Sequence, residues 1–213
     1  MEIVNTTVTF KYGSQLDLKR IASLNGIVFK KSYYFPAINL MMQEFSVTAK
    51  IFCKGNIVLI GGTSFDDIDG AITSLVELLC HSGHYAKPKN IKIKNLVAAI
   101  DTQQRVNLAE LYETMRFDKR YFTTFEPEIF PGLIARFKDS KSSATVFRSG
   151  KAQITGCTSL EEANNKLRGV LDFLPEEYIP KMLDFSGIEP STQDNFTESF
   201  NQLIELANDI TDL

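Results

Sequence analysis

The stretch FEPEIFPGLIARF, residues 125–137, places a phenylalanine directly before a proline at the start of an apolar segment. Proline fixes its own backbone φ angle and restricts the residue before it, so the corner formed by Phe130 and Pro131 is stiff. The same corner occurs 95 residues earlier, where Phe35 and Pro36 precede another apolar segment. A corner that occurs twice at such a distance indicates a duplication.

The duplication extends well beyond the two corners. A shift of 95 residues aligns identical residues of both halves without a gap. Two copies of about 85 residues are too long for a solenoid unit and too few for an array, so the repeat predicts a duplicated half-domain. The identical pairs are Phe35 with Phe130, Pro36 with Pro131, Phe52 with Phe147, Gly55 with Gly150, Gly61 with Gly156, Thr63 with Thr158 and Ser64 with Ser159.

Both halves have the same predicted order: a strand, a short helix, three antiparallel strands and a long helix. Alternating apolar residues predict the strands, and glycines predict the tight turns between the last two strands of each half. Thr63-Ser64 and Thr158-Ser159 predict the starts of the long helices. The predicted strands cover 3–10, 37–45, 47–53, 56–61, 91–100, 132–138, 143–148 and 151–156, and the predicted short helices cover 15–24 and 105–115.

The predicted helices cover only one face of the sheet. The other face carries apolar and small polar residues, and no remaining segment is assigned to it. An exposed apolar face of this size favours aggregation unless it binds a partner. The sequence therefore predicts a binding surface on the sheet.

The composition is typical of a soluble globular protein with one good core: 213 residues, 44% hydrophobic content and charges of both signs. No stretch approaches the roughly 18 apolar residues of a membrane span, and no signal peptide follows Met1. The three cysteines show no CxxC spacing and are predicted to be free thiols in a reducing compartment. We therefore expect neither secretion nor a membrane partner.

The charge is distributed unevenly along the chain. Residues 176–213 contain nine acids and one lysine, whereas residues 1–175 contain 22 bases and 17 acids. A basic body of net charge +5 with an acidic tail is compatible with a polyanionic partner.

The sequence carries no pattern that predicts an enzyme. Cys80, His81 and His84 follow a predicted helix end, but no distant cluster completes a metal site. Nucleophile motifs, paired carboxylates and phosphate-binding loops are also missing from the sequence. We expect no catalytic residue, no metal, no cofactor and no small-molecule substrate.

The quoted corner and the stretch ATVFRSGKAQITG, residues 144–156, resemble the TATA-box-binding protein family. The second half of that family carries a corner like EPE-x-FPG and a turn like F-x-SGK. The first half of the chain agrees through QLDLKRIA, residues 15–22, and IFCKGNIVLIGG, residues 51–62. The likeness covers residues 3 to about 174.

The resemblance implies an α+β fold: a duplicated saddle in which a curved antiparallel sheet carries helices on its convex face. Residues 1–88 and 89–175 would be the two repeats of one saddle domain. Residues 176–213 would be an acidic C-terminal helical extension.

The resemblance also implies that the concave sheet binds the minor groove of double-stranded, A/T-rich promoter DNA and bends it. Phenylalanines inserted between base steps would act as wedges, and phosphate contacts would hold the register. The implied roles are wedges at Phe35, Phe52, Phe130 and Phe147, minor-groove contacts at Asn5, Thr7, Val58, Asn95, Val97 and Thr155, and phosphate contacts at Arg136, Ser149 and Lys151.

By the same resemblance, Glu126 and Glu128 would contact a transcription factor IIB-like initiation factor. The chain would then be a general transcription initiation factor that nucleates a preinitiation complex, in the nucleus or in a viral factory in the host cytoplasm. Its uneven halves favour a large DNA virus as the source, with an archaeal or protist source as the alternative.

Several residues depart from the family pattern. Lys50 and Gln153 replace apolar groove contacts, whereas Met41 and Asn56 stand where basic phosphate-binding residues are expected. These departures put strict TATA preference in doubt. They motivate an alternative, in which the chain is a protein-interaction scaffold or regulator with weak or lost DNA binding. Further departures lie at Thr7, Ile60 and Thr145.

The acidic extension contains apolar residues at helical spacing, which predicts an amphipathic helix. Three roles remain open for it: packing on the convex helices, recruiting a partner helix, or covering the concave sheet as an acidic mimic of DNA. The spaced apolar residues are Phe196, Phe200, Leu203, Ala207 and Ile210.

Overall fold

The chain forms two compact units in the computed structural model. The first unit contains Asn5–Ile93, and the second contains Met1–Val4 together with the described residues from Lys94 onward. The structure describes residues 1–13, 15–27 and 37–175.

The first unit combines antiparallel strands with two helices. Its elements are β1 (Glu2–Tyr12, from Asn5 on), α1 (Leu18–Leu24), β2 (Ala37–Met42), β3 (Val47–Phe52), β4 (Asn56–Gly61) and α2 (Phe65–His81). The strands lie in the order β2-β3-β4-β1, and each neighbouring pair is antiparallel.

The second unit repeats this combination. Its elements are β5 (Pro88–Asp101, from Lys94 on), α3 (Leu108–Met115), β6 (Tyr121–Thr124), β7 (Gly132–Phe137), β8 (Ser143–Phe147), β9 (Lys151–Cys157) and α4 (Leu160–Leu171). The strand order is β5-β9-β8-β7-β6, again antiparallel throughout. The expected α+β class and the duplication are confirmed.

Two details of the strand prediction differ from the structure. Strand β6 is missing from the prediction, and the strand predicted over 37–45 is too long. β2 ends at Met42, and Gln43–Phe45 form a 3-10 turn. The ring of Phe45 packs against Gly70 of α2 in the space that a Cβ atom would fill. This contact with the helix takes Phe45 out of the strand.

Some of the predicted features lie outside the described residues. The first Phe-Pro corner, Phe35 and Pro36, is one of them, and the predicted extension 176–213 is the other.

Matched N-caps begin the long helices of the two units. Ser64 Oγ accepts from Asp67 N–H at 3.0 Å, and Asp67 Oδ2 accepts from Ser64 N–H at 2.9 Å, which completes a capping box. Hydrogen bonds, first of all from the Thr63 N–H, lower the pKa of Asp67. In α4, Ser159 Oγ accepts from Glu162 N–H at 3.1 Å. The predicted caps are therefore confirmed.

Alternation along the strands separates a buried face from an accessible one. In β1, Val8, Phe10 and Tyr12 are buried among residues of α1 and α2, whereas Asn5 and Thr7 are half-buried on the other side. This is the pattern of an antiparallel sheet with one face packed on a core. The helices of the first unit thus cover one face of its sheet.

The second unit has the same arrangement. In β9 Ala152 and Ile154 are buried and Gln153 and Thr155 are half-buried, whereas in β8 Thr145 is buried as well as its neighbours Ala144 and Val146; α4 packs on both strands. The buried apolar residues of these elements include Ala144, Val146, Ala152, Ile154, Ala163, Leu167, Val170 and Leu171.

The buried Tyr12 hydroxyl ties the end of β1 to the segment after α2. It donates to the His84 carbonyl at 2.8 Å and accepts from Ala86 N–H at 3.2 Å. The hydroxyl also lies 3.5 Å from Cys80 Sγ. Desolvation by burial raises the pKa of Tyr12. The CHSGH motif therefore takes part in packing.

His84 also has a structural contact, because its Nε2 accepts from Asp17 N–H at 3.2 Å. Within the described residues, no group of three or more His, Cys, Asp or Glu side chains is placed to bind a metal ion. None of the helices in this part of the chain is long and apolar enough to span a membrane.

Replacing Tyr12 by phenylalanine should destabilise the fold by about 1–3 kcal/mol, because the substitution leaves the Ala86 N–H and the His84 carbonyl without this partner. Chemical unfolding measures the change in the free energy of unfolding. Tyr85→Phe is the matched control, since Tyr85 is 69% exposed. Equal midpoints for the two variants would contradict the role of the Tyr12 hydroxyl.

Candidate nucleic-acid interface

The open face of the first unit is the side of its sheet opposite α1 and α2. Asn5 and Thr7 of β1 lie on it, and Thr7 is paired with Ile60 of β4. Ile60 is 43% exposed. Val58 lies on the same face, because its neighbours Ile57 and Leu59 are buried.

The open face of the second unit carries the corresponding residues of β5 and β9. Asn95 and Val97 flank the buried Leu96, and Thr155 lies on the same side of β9. The Asn95 side-chain oxygen accepts from Gly156 N–H at 2.8 Å and from the Thr155 hydroxyl at 3.4 Å. These bonds orient the amide so that its NH₂ group, which can only donate, points away from Gly156.

The Phe130 corner is held by its own backbone. The carbonyl of Glu126 accepts from both Ile129 N–H and Phe130 N–H at 2.9 Å. Two hydrogen bonds on one carbonyl close a tight turn, and Pro131 fixes the exit from it. The backbone therefore forms the tight corner expected from the sequence.

The rings of Phe130 and Phe147 form a pair on the open face. Their centroids are 5.9 Å apart with an interplanar angle of 59°. Phe130 is 37% exposed. Phe147 is half-buried and points to the open face, because its neighbour Val146 is buried on the helix side. A Cβ atom on Gly132 would lie 2.8 Å from Phe130 Cε1 and 3.1 Å from Phe147 Cε1. Glycine at this position allows both rings to rest on the β7 backbone.

The first unit provides one described member of the other predicted pair. Phe52 is half-buried on the side of β3 that also carries Thr48 and Lys50. Its predicted partner, Phe35, lies outside the described residues. The wedge role of Phe52 stays a prediction.

The predicted phosphate-contact residues are all exposed. Arg136 lies on the open side of β7, paired with Ser143. Ser149 lies in the turn before Lys151, whose backbone N–H donates to the Ser149 hydroxyl at 3.4 Å. Lys151 is paired across the sheet with Asp101.

The departures from the family pattern also lie on the open faces. Lys50 is paired with Asn39 and with Val58, and Gln153 is paired with Ala99 and Thr145. Both side chains are half-buried. They therefore belong to the surface that the sequence assigns to the minor groove.

Glu126 and Glu128 are exposed in the turn before the ring pair. Ile129 beside them is 80% exposed. The turn thus presents an apolar side chain next to two acids. No role of Ile129 was predicted from the sequence, although its place inside the motif FEPEIFPG indicates an apolar residue in the turn.

Two residues at the sheet edge of the second unit, Phe122 and Lys138, were not predicted from the sequence. Phe122 of β6 is 63% exposed, and Lys138 Nζ lies 4.6 Å from the centroid of its ring. The contact joins β6 to the turn after β7, so no local motif indicates it.

Comparison with known proteins decides the family. The family model described as "Transcription factor TFIID (or TATA-binding protein, TBP)" matches residues 1–81 and 90–176. The chain belongs to the TATA-binding protein family. The resemblance seen in the motifs is therefore confirmed, and the two matched segments correspond to the two halves of the repeat.

Curated TATA-box-binding proteins are similar to the chain over most of its length. The protein from Methanocaldococcus jannaschii is 31% identical over 177 residues, which cover 83% of this chain and 94% of the relative. The protein from Saccharomyces cerevisiae is 31% identical over 172 residues, which cover 81% and 70%. A solved structure of Methanococcus jannaschii TBP superposes with a TM-score of 0.68 at 32% identity, covering 80% of this chain and 95% of that one.

Asn95→Asp tests the donor role of the amide. Aspartate keeps an oxygen for Gly156 N–H, so the fold is retained, but it replaces the NH₂ donor by a charged acceptor. Because a good base contact contributes about 1–3 kcal/mol, affinity for A/T-rich DNA should fall about tenfold or more in a binding titration. Asn90→Asp, which adds the same charge to β5, is the control. An equal affinity of the two variants would contradict the role.

Proposed function

We propose that this chain is a general transcription initiation factor that binds A/T-rich promoter DNA in the minor groove, bends it and nucleates preinitiation complex assembly. The observation that carries the proposal is the pair of rings, Phe130 and Phe147, on the open face beside the donors of β5 and β9. Family membership supports it, since the relatives are named for binding the TATA box.

The chemistry of the open faces suits the minor groove of A·T base pairs. Their minor-groove edge presents acceptors only, whereas G·C adds an amino group that crowds a close sheet surface. Asn5 and Asn95 carry amides that can donate to those acceptors. Thr7, Val58, Val97 and Thr155 supply the small and apolar contacts around them.

The ring pair supplies the bending. Apolar wedges between base steps partly unstack them and kink the duplex, a binding mode for which this protein family is the standard example. Unstacking costs a few kcal/mol per step, and the additional surface that bent DNA contacts offsets it. Phe52 and Phe35 would form the corresponding pair of the first unit.

Exposed cations and hydroxyls hold the duplex in register. Arg136, Ser149 and Lys151 would contact phosphates, which fix the position of the protein without reading sequence. Members of this family are DNA-binding factors and not enzymes, and we assign the chain to that class. Its place of action would be the nucleus or a viral factory in the host cytoplasm.

A titration with duplex DNA tests the proposal. Wild-type chain should bind an A/T-rich site more tightly than a G/C-rich one, and the preference should persist as salt weakens the phosphate attraction. Phe130→Ala together with Phe147→Ala should abolish bending, measured by fluorescence transfer between the duplex ends. Phe117→Ala is the control, because Phe117 is 76% exposed in the loop after α3.

The same titration separates the proposal from the scaffold alternative. Absence of DNA binding by the wild-type chain would favour a scaffold, which Lys50 and Gln153 on the open faces motivate. Bending that survives loss of both rings would reject the wedge role while leaving groove binding intact.

The turn before the ring pair would bind a transcription factor IIB-like partner. Glu126 and Glu128 are exposed there, next to the 80% exposed Ile129. An exposed apolar side chain beside two acids suits a partner surface that is basic with an apolar centre. The location next to the wedges would place that partner close to the DNA.

Charge reversal tests this contact. Glu126→Arg together with Glu128→Arg should weaken the ternary complex with a IIB-type factor at least about tenfold, since like charges then face each other across the interface. DNA affinity should not fall, because both residues lie outside the open face. Gel-shift assays of the binary and ternary complexes measure the two effects. Glu77→Arg, on the exposed side of α2, is the control; an equal loss in that variant would argue against the assignment.

A further inference from the structure

An exposed pair of side chains, Phe122 and Lys138, lies at the edge of the sheet in the second unit. Lys138 Nζ is 4.6 Å from the Phe122 ring centroid, a cation–π contact. The backbone is also held, because Lys138 N–H donates to the Arg120 carbonyl at 3.0 Å. Lys138 is therefore positioned at both its backbone and its ammonium group.

The pair lies on the same side of the sheet as Arg136. Phe122 of β6 is paired with Arg136 of β7, so the two side chains point to one face, and both are exposed. Since Lys138 contacts the Phe122 ring, its ammonium group belongs to that face too. The open face thus carries two cations at its edge, two residues apart along the chain.

The carboxylate of Asp139, the residue after Lys138, points to the helix side of the sheet. Asp139 Oδ1 accepts from Lys166 Nζ of α4 at 3.0 Å, and this hydrogen bond lowers the pKa of Asp139. Because α4 lies on the helix side, the carboxylate is directed away from the open face. The Lys138 ammonium group and the Asp139 carboxylate therefore lie on opposite faces of the sheet.

We propose that Lys138 is an additional phosphate-contact residue and that Phe122 positions it. Two positions along an extended chain are about 7 Å apart, so Arg136 and Lys138 would contact neighbouring phosphates of one DNA strand. The ring occupies one side of the ammonium group and leaves N–H donors for a phosphate oxygen. The proposal rests on the proposed DNA-binding function and extends its phosphate contacts to the edge strand.

Continuity with the proposed DNA-binding surface favours DNA over an acidic protein as the occupant. The edge continues a surface on which Arg136 already faces the proposed duplex. The row from Phe122 through Arg136 also runs across the sheet to Ser143 and Thr155. Phe122 ends this row, and the Lys138 ammonium group held against its ring would contact the DNA backbone, as phosphate contacts commonly do at the border of a groove.

The salt dependence of DNA binding tests the proposal. Each neutralised phosphate contributes about 0.9 to the slope of log affinity against log salt. Lys138→Gln should therefore lower the slope by about 0.9, which corresponds to a roughly threefold smaller loss of affinity between 50 and 200 mM salt. Lys19→Gln removes the same charge from α1 and should keep the wild-type slope. The probe is an A/T-rich duplex bound to the full chain.

The positioning role of Phe122 needs a second comparison. Phe122→Leu keeps an apolar side chain and removes the ring face, so Lys138→Gln should cost less affinity in that background than in the wild type. Equal costs in both backgrounds would overturn the role of the ring.

The outcomes distinguish this proposal from the proposed function. A wild-type slope in Lys138→Gln, with tight binding by the parent chain, overturns the phosphate contact alone and leaves an acidic protein as the occupant of the edge. Failure of the wild-type chain to bind the duplex overturns both.

Discussion

Period-two alternation of the strands is the constraint on which the interface depends. Because side chains alternate between the faces of a sheet, every residue buried under the helices fixes its neighbours on the open side. A slip of one residue would exchange the two sets. The turns keep this register: Gly55 and Gly150 hold positive φ angles of 78° and 92° in the tight turns before β4 and β9. The core and the candidate interface are therefore specified by the same pairing.

Much of this arrangement could be predicted because its signals are local and occur twice. A serine followed three residues later by an acid predicts a helix start in either half, and Ser64 and Ser159 both act as N-caps. The motif around Phe130 and Phe147 likewise indicates a corner and a turn before any pairing is known. The family resemblance places Asn95 and Thr155 on the open face, and the alternation of β5 and β9 agrees with that placement.

The features that escaped prediction depend on contacts between distant segments. β6 has only four residues, YFTT, and becomes a strand through pairing with β7. The early end of β2 depends on Phe45 packing against Gly70 of a helix. The contact of Lys138 with Phe122 needs the register of two strands, and the hydrogen bond from Gly156 N–H to Asn95 spans 61 residues. Neither contact has a signal in the local sequence.

The two sides of the second unit's interface differ in electrostatic environment. Lys151 is paired directly with Asp101, and opposite charges in such a cross-strand position attract each other. The Asp101 carboxylate also accepts from Gln103 N–H at 2.8 Å, which holds it near that strand end. At the other edge, Asp139 is bound by Lys166 on the helix side, so Arg136 and Lys138 keep their charge toward the open face. A phosphate approaching Lys151 therefore competes with a carboxylate. A phosphate approaching the β6 edge meets Arg136 and Lys138, and the acid that interacts electrostatically with Lys138, Asp118, is itself bonded to Arg120 at 2.8 Å. If the open face binds a duplex as proposed, both ends of the interface thus combine cations with a nearby acid, and the edge strand would add to the attraction exerted by the turn that the sequence motif indicates.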